Sequence, residues 1–185
     1  MDKKIINRKV IYEGLFVVEE DYNEECAIGH IEPRVYPLGN PSLEHPISHP
    51  HITVVFKPEK PHNELYGRDV FAIVNGYGCN GVNEGYRVRI IPRGIHGQGD
   101  YIGCPIHSYD EDCFHTLIGL IKNIKVPHIT LSVSADGCPK DTEDLAFELI
   151  PIEEQFIIQC RYGAFVEIEY DDGTKETDYD YSGRW

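Results

Sequence analysis

With 185 residues and a mass of 21.1 kDa the chain has the size of one ordinary domain, and it is read as a single unit over residues 1–185. Its 17 Lys and Arg against 31 Asp and Glu leave a formal net charge of −14. That balance excludes a protein that coats long duplex nucleic acid by neutralising phosphates, while a small nucleotide ligand stays open. A hydrophobic content of 41% beside 26% charged residues is that of a globular chain, neither disordered nor membrane-embedded.

From the start, Met1-Asp2-Lys3-Lys4 is followed only by Ile5-Ile6 before the chain turns polar. Neither a signal-peptide core nor the ~20 apolar residues of a membrane span is found, so no membrane partner is expected. Lys9–Val18 is β-branched and aromatic enough for a strand. Residues 19–50, rich in acid, Pro, Gly and His, read mostly as loop, and His51–Phe56 as a short apolar strand. Asp69–Tyr77 and Tyr86–Ile91 follow as strands joined by a Gly- and Asn-rich hairpin loop. Residues 92–108 carry four glycines and read as a mobile loop; with His96, Tyr101 and His107 they are a candidate lid.

Phe114, Leu117, Ile118 and Ile121 recur at helical spacing, with Ile124 continuing the stripe. Asp110-Glu111-Asp112 supply the cap and dipole-favourable charge, and Val126-Pro127 ends the helix. Strands are expected at His128–Val133, Ala146–Ile150, Gln155–Cys160 and Ala164–Tyr170. Asp172-Gly173 then turns the chain into an acidic hairpin or frayed tail over about 167–185. At least seven strands with one clear helix give an α+β class with a largely antiparallel sheet. Cys26, Cys79, Cys104, Cys113, Cys138 and Cys160 lack any CxxC or zinc spacing and read as free thiols of a cytoplasmic protein.

One internal echo carries chemistry. Pro50-His51-Ile52-Thr53-Val54 and Pro127-His128-Ile129-Thr130-Leu131 are nearly the same pentapeptide, each opening an expected strand. Side chains alternate along a strand, so His and Thr share one face while the apolar pair anchors the other. His and Thr then lie roughly 6–7 Å apart, with room for a phosphoryl group between them. Two imidazoles converging on one cleft supply both a base and an acid for phosphodiester hydrolysis without a metal, and the threonines would donate to the non-bridging oxygens.

These paired motifs, HITV and HITL, resemble the signature of the two-histidine (2H) phosphoesterase superfamily. Its members include RNA 2′,3′-cyclic phosphodiesterases, RNA ligase-like proteins and phage enzymes that degrade cyclic-oligonucleotide immune signals. The resemblance implies a two-lobed, pseudo-symmetric α+β fold around a central cleft, with motif 51–54 in the first lobe and motif 128–131 in the second. It implies metal-independent attack on a 2′,3′-cyclic phosphate or related phosphodiester, with no cofactor. His51 and His128 would be the acid/base pair, and Thr53 and Thr130 the phosphate-binding hydroxyls. The partner would be a nucleotide, a cyclic nucleotide or a short RNA. The chain departs from the pattern in residues 19–50, which lack an amphipathic helix, in the 92–108 loop and in the acidic tail.

The same residues admit other readings. The cleft could sequester a nucleotide or cyclic oligonucleotide without cutting it, and the two strands could simply be core strands. His45, His49 and His51 are dense enough to hold zinc or iron, but Pro46 and Pro50 kink the segment and no cupin-type Glu follows. The glycines of Tyr77–Gly81 and Asn83–Gly85 suit a hairpin loop better than a phosphate cradle, since no P-loop Lys-Ser/Thr accompanies them. Arg87 and Arg89 share one strand face, either drawing an anionic substrate or facing solvent.

Overall fold

The computed structural model describes residues 2–18, 41–91 and 111–182. Nine strands are found among them: β1 (Ile5–Val17), β2 (His45–Pro46), β3 (His51–Phe56), β4 (Asp69–Cys79), β5 (Asn83–Ile91), β6 (His128–Val133), β7 (Glu148–Leu149), β8 (Phe156–Tyr170) and β9 (Lys175–Asp180). One α-helix, α1 (Glu111–Lys122), completes the regular elements apart from short 3-10 turns. All strand pairings are antiparallel and belong to one sheet, in the order β2-β6-β5-β4-β8-β1-β3, with β7 added on β4 and β9 on β8. The expected α+β class with a mostly antiparallel sheet and few helices is therefore observed. No helix among the described residues is long and apolar enough to cross a membrane.

The spine of the sheet is β8. Its 15 residues span about 50 Å at the usual rise per residue. Its first part pairs with β4, its longer second part with β1, and its far end also with β9. Two separate strands were expected here because Arg161-Tyr162-Gly163 resembles a break. The structure runs straight through it: Tyr162 is fully buried, and its N–H donates to the Arg68 carbonyl at 2.8 Å. The same long partner extends β1 to Ile5, four residues ahead of the expected start, although Ile5 and Ile6 are exposed.

The β4–β5 connection is shorter than its glycines suggest. The strands continue to Cys79 and from Asn83, leaving Asn80-Gly81-Val82 as the loop. Gly81 has φ +82, a left-handed conformation that favours glycine, and Asn80 Oδ1 accepts the N–H groups of Val82 and Asn83 at 2.9 and 2.8 Å. The acidic tail forms the hairpin β8–β9, turned at Gly173 with φ +83. The expected strand 146–150 shrinks to the two residues of β7, paired with Gly76 and Tyr77, beyond which the Ile150 N–H donates to the Asn75 carbonyl at 2.9 Å. Residues 19–40, the 92–108 loop, the Asp110 cap, Cys26 and Cys104 lie outside the described residues, and Cys79, Cys138 and Cys160 are free thiols.

One core lies against the sheet. Leu15, Ile52, Val70, Ala72, Val88, Ile129, Leu131, Ile158, Tyr162 and Ala164 meet there, with Leu117 of α1 fully buried among them. The apolar positions of both motif strands thus reach the same core, as alternation requires. β2 and β3 are successive in the chain yet stand at opposite ends of the strand order. His45 and Pro46 pair with Val133 and Ser132 of β6, and the Ile47 N–H donates to the Leu131 carbonyl at 2.9 Å. Past Pro50 the chain leaves β6 and pairs with β1 instead. The sheet curls so that its two ends meet, and β3 packs against β6 without a ladder between them.

Candidate functional site

The local wiring of the first motif follows from its prolines. Pro50 has no N–H, but its carbonyl accepts the Val17 N–H of β1 at 3.0 Å. That bond seats His51 opposite Phe16, Ile52 opposite Leu15 and Thr53 opposite Gly14. The His49 carbonyl, two residues before His51, points back to the imidazole and meets Nδ1 at 2.9 Å. A carbonyl only accepts, so Nδ1 carries the proton and Nε2 is left as the titrating nitrogen. Thr53 is exposed.

The second motif repeats these bonds. The Pro127 carbonyl accepts the Val88 N–H of β5 at 3.0 Å, and the Val126 carbonyl meets His128 Nδ1 at 2.7 Å. His128, Ile129 and Thr130 stand opposite Arg87, Tyr86 and Gly85. Both threonines therefore face a glycine on the neighbouring strand. A Cβ on Gly14 would lie 2.8 Å from the Ile52 carbonyl oxygen, and one on Gly85 would lie 2.6 Å from the Ile129 carbonyl oxygen. Each glycine follows a glutamate, and the ladder shifts register at both Glu13/Gly14 and Glu84/Gly85.

Both glutamates are buried and anchor loops. Glu13 accepts from the His62 N–H at 2.9 Å, His62 Nδ1 at 2.6 Å and the Tyr162 hydroxyl at 3.2 Å. Glu84 accepts from the Ser42 N–H and hydroxyl at 3.0 and 2.7 Å, the Ser132 hydroxyl at 2.8 Å and the Tyr77 hydroxyl. Burial pushes the Glu84 carboxyl up, but the hydrogen bonds from Tyr77, Ser42 and Ser132 outweigh it and hold its pKa below the ordinary value. The Tyr77 hydroxyl is pushed up to about 12, first by its bond to that carboxylate. Glu84 ties Ser42, and with it the segment leading into His51, to the sheet beside His128.

The two motifs differ in what surrounds them. Thr130 is 8% exposed, its hydroxyl donating to the Pro139 carbonyl at 3.0 Å and pairing with Thr142 Oγ1 at 2.9 Å. Asn83 Nδ2 donates to the same Thr142 oxygen at 3.2 Å. Its donor is thus engaged within the protein, whereas Thr53 lies open. His51 sits among rings: Tyr12 stacks on it at 4.7 Å and 20°, and Phe16 lies at 5.1 Å. His128 instead has the exposed Arg87 beside it on the same face.

Burial lowers the His51 pKa below the ordinary histidine value; the His49 carbonyl opposes this, and the His128 and His49 imidazoles lower it further. His128 therefore lies within electrostatic reach of His51. An imidazole pair so arranged can accept a proton at one Nε2 and release one at the other. The Tyr12 hydroxyl is pushed up by burial and by Tyr179 and Tyr181. His49 stacks on Tyr179 of β9 at 3.9 Å and 24°, so the acidic hairpin reaches the site.

His45, His49 and His51 part ways: His45 lies on the β6 ladder, His49 on Tyr179 and His51 on Tyr12. Among the described residues no three His, Cys, Asp or Glu side chains gather as a metal-holding group. The N–H groups of Val82 and Asn83 are bonded to Asn80, as a hairpin loop requires. Glu13, Gly14, Tyr12 and Tyr179 escaped sequence reasoning, and Glu84 and Gly85, read there as hairpin loop, lie in β5. A signal existed for four of them, since Glu13-Gly14-Leu15-Phe16-Val17 echoes Glu84-Gly85-Tyr86-Arg87-Val88. Compared with known proteins, the chain matches no family model, no curated protein and no solved structure.

Proposed function

We propose that this chain is a phosphodiesterase of the two-histidine kind, acting on a 2′,3′-cyclic phosphate or on a short or cyclic oligonucleotide. The observation that carries the reading is the matched pair of imidazoles. Each holds its Nδ1 on the carbonyl two residues upstream, and the two lie within electrostatic reach of each other. The repeated Glu-Gly bulges and proline-anchored strands support two pseudo-symmetric lobes, β1 with β3 and β5 with β6, around a shared cleft.

In this mechanism His51, kept neutral by burial, takes a proton from water as the water oxygen bonds to phosphorus. The ribose oxygen departs with the proton that His128 gives it. Thr53 donates to a non-bridging oxygen, and Thr130 does so by turning its proton away from the Pro139 carbonyl. The strong negative charge of the chain favours a small ligand over a long polyanion.

The test is to incubate the protein with nucleoside 2′,3′-cyclic phosphates and with linear and cyclic oligonucleotides, with and without chelator. Turnover with a bell-shaped pH profile is expected, unaffected by EDTA and reduced at least ~100-fold by His51→Ala or His128→Ala. Stoichiometric retention without product would establish a sequestering protein instead. Activity lost with EDTA and restored by zinc would overturn the metal-free route.

A further inference from the structure

The two imidazoles are oriented alike but braced differently. Val126, whose carbonyl holds His128, follows the end of α1, where the N–H groups of Asn123 and Ile124 bond back to Leu120 and Ile121 at 3.1 Å each. His49, whose carbonyl holds His51, lies exposed between Ile47 and Pro50, the two residues whose backbone bonds fasten the segment. Its ring is what meets the rest of the protein, flat on Tyr179 at 3.9 Å.

Tyr179 belongs to β9, which among the described residues pairs only with β8. Lys175, Glu176, Thr177 and Asp178 are exposed, whereas Tyr179 turns toward the sheet. It meets Phe16 edge-on at 5.3 Å and Phe165 at 5.1 Å, and Phe16 in turn touches the His51 ring. One residue of the acidic hairpin thus reaches His51 twice, through the backbone of His49 and through the ring of Phe16.

We propose that Tyr179 is a positioning residue for His51: by clamping the His49 ring it fixes the carbonyl that holds Nδ1–H, and so aims Nε2 at the cleft. This rests on the reading of His51 as an acid/base group, but the clamp itself is a structural claim with its own readout. Stacking needs the ring and not the hydroxyl, so Tyr179→Phe preserves it and Tyr179→Ala removes it. Among the described residues, the ionisable groups that act on or stack against His51 are His128 on β6, His49 on its own segment and Tyr12 on β1, with Tyr179 on β9 reached through the His49 ring.

The experiment is nitrogen-15 NMR of the imidazoles across pH in the full chain, with pH–rate profiles run in parallel. In the wild type His51 should show one tautomer, protonated on Nδ1. In Tyr179→Ala it should become a tautomer mixture, while the His128 signals stay unchanged. Tyr179→Phe should match the wild type. If turnover exists, Tyr179→Ala lowers kcat about 10-fold with KM little changed, and Tyr179→Phe restores it.

Should Tyr179→Ala fail to fold, His49→Ala and His49→Phe carry the test. They are read by tautomer alone, because the His49 ring itself disfavours a proton on His51; the first should lose the single tautomer and the second keep it. An unchanged His51 tautomer in Tyr179→Ala, or in His49→Ala where that variant carries the test, overturns the proposal. A shifted tautomer in a protein without turnover leaves the clamp standing and overturns the catalytic reading.

Discussion

Replacing a glycine by alanine adds one methyl group, and this protein should respond with opposite signs at two positions. At Gly14 the new Cβ would stand 2.8 Å from the Ile52 carbonyl oxygen and 3.6 Å from the His51 ring. Ordinary contact needs roughly 0.5 Å more, and the obstacle is backbone of the motif strand, not a side chain able to swing aside. The strand must move or the β1–β3 ladder must stretch, which costs about 1–3 kcal/mol. At Gly119, inside α1, a Cβ would meet open space. Alanine there gains helix propensity and stabilises by about 0.5–1 kcal/mol. Urea denaturation of both variants, followed by circular dichroism with the m-value held as a check, reads the two effects on one scale. Gly14→Ala within 0.5 kcal/mol of the wild type would refute the close seating of β3 on β1.

Other consequences can be measured alongside. Glu13→Ala leaves the Tyr162 hydroxyl and the His62 N–H without their buried acceptor, so unfolding free energy should fall by about 3–5 kcal/mol, and Glu13→Gln by clearly less; a loss under 1 kcal/mol for the alanine in urea titrations would contradict this network. The His51 pKa is lowered in the folded state, so as pH falls through about 6.5 the unfolded chain binds the proton first and the folded state loses stability, with no such term at higher pH. Urea midpoints at pH 8, 7, 6 and 5.5 should therefore drop more steeply below neutrality in the wild type than in His51→Gln, and identical slopes would show that the imidazole is not held neutral.

Much of the framework was legible because it is local. The proline-opened apolar runs His51–Phe56 and His128–Val133 gave both strand boundaries as observed, and the Leu117 stripe gave the helix with its buried face. Readings failed where a distant partner overrode local composition. Tyr162-Gly163 stays extended because Leu15 and Gly14 stand opposite it, and Cys79 and Asn83 because each has a ladder partner. The Glu-Gly echo is hard to read from sequence because segments of unequal length separate each copy from its motif.

The amino-acid order alone determined that each His-Ile-Thr would present its polar pair on one strand face, which is a property of neighbouring residues. Tertiary structure alone decided that the curled sheet brings His51 near His128, that Thr130 donates to Pro139 while Thr53 lies open, and that Tyr179 stacks on His49. Each of those outcomes depends on segments far apart in the chain, whose meeting is set by ladder register and core packing and leaves no mark in any short stretch of sequence.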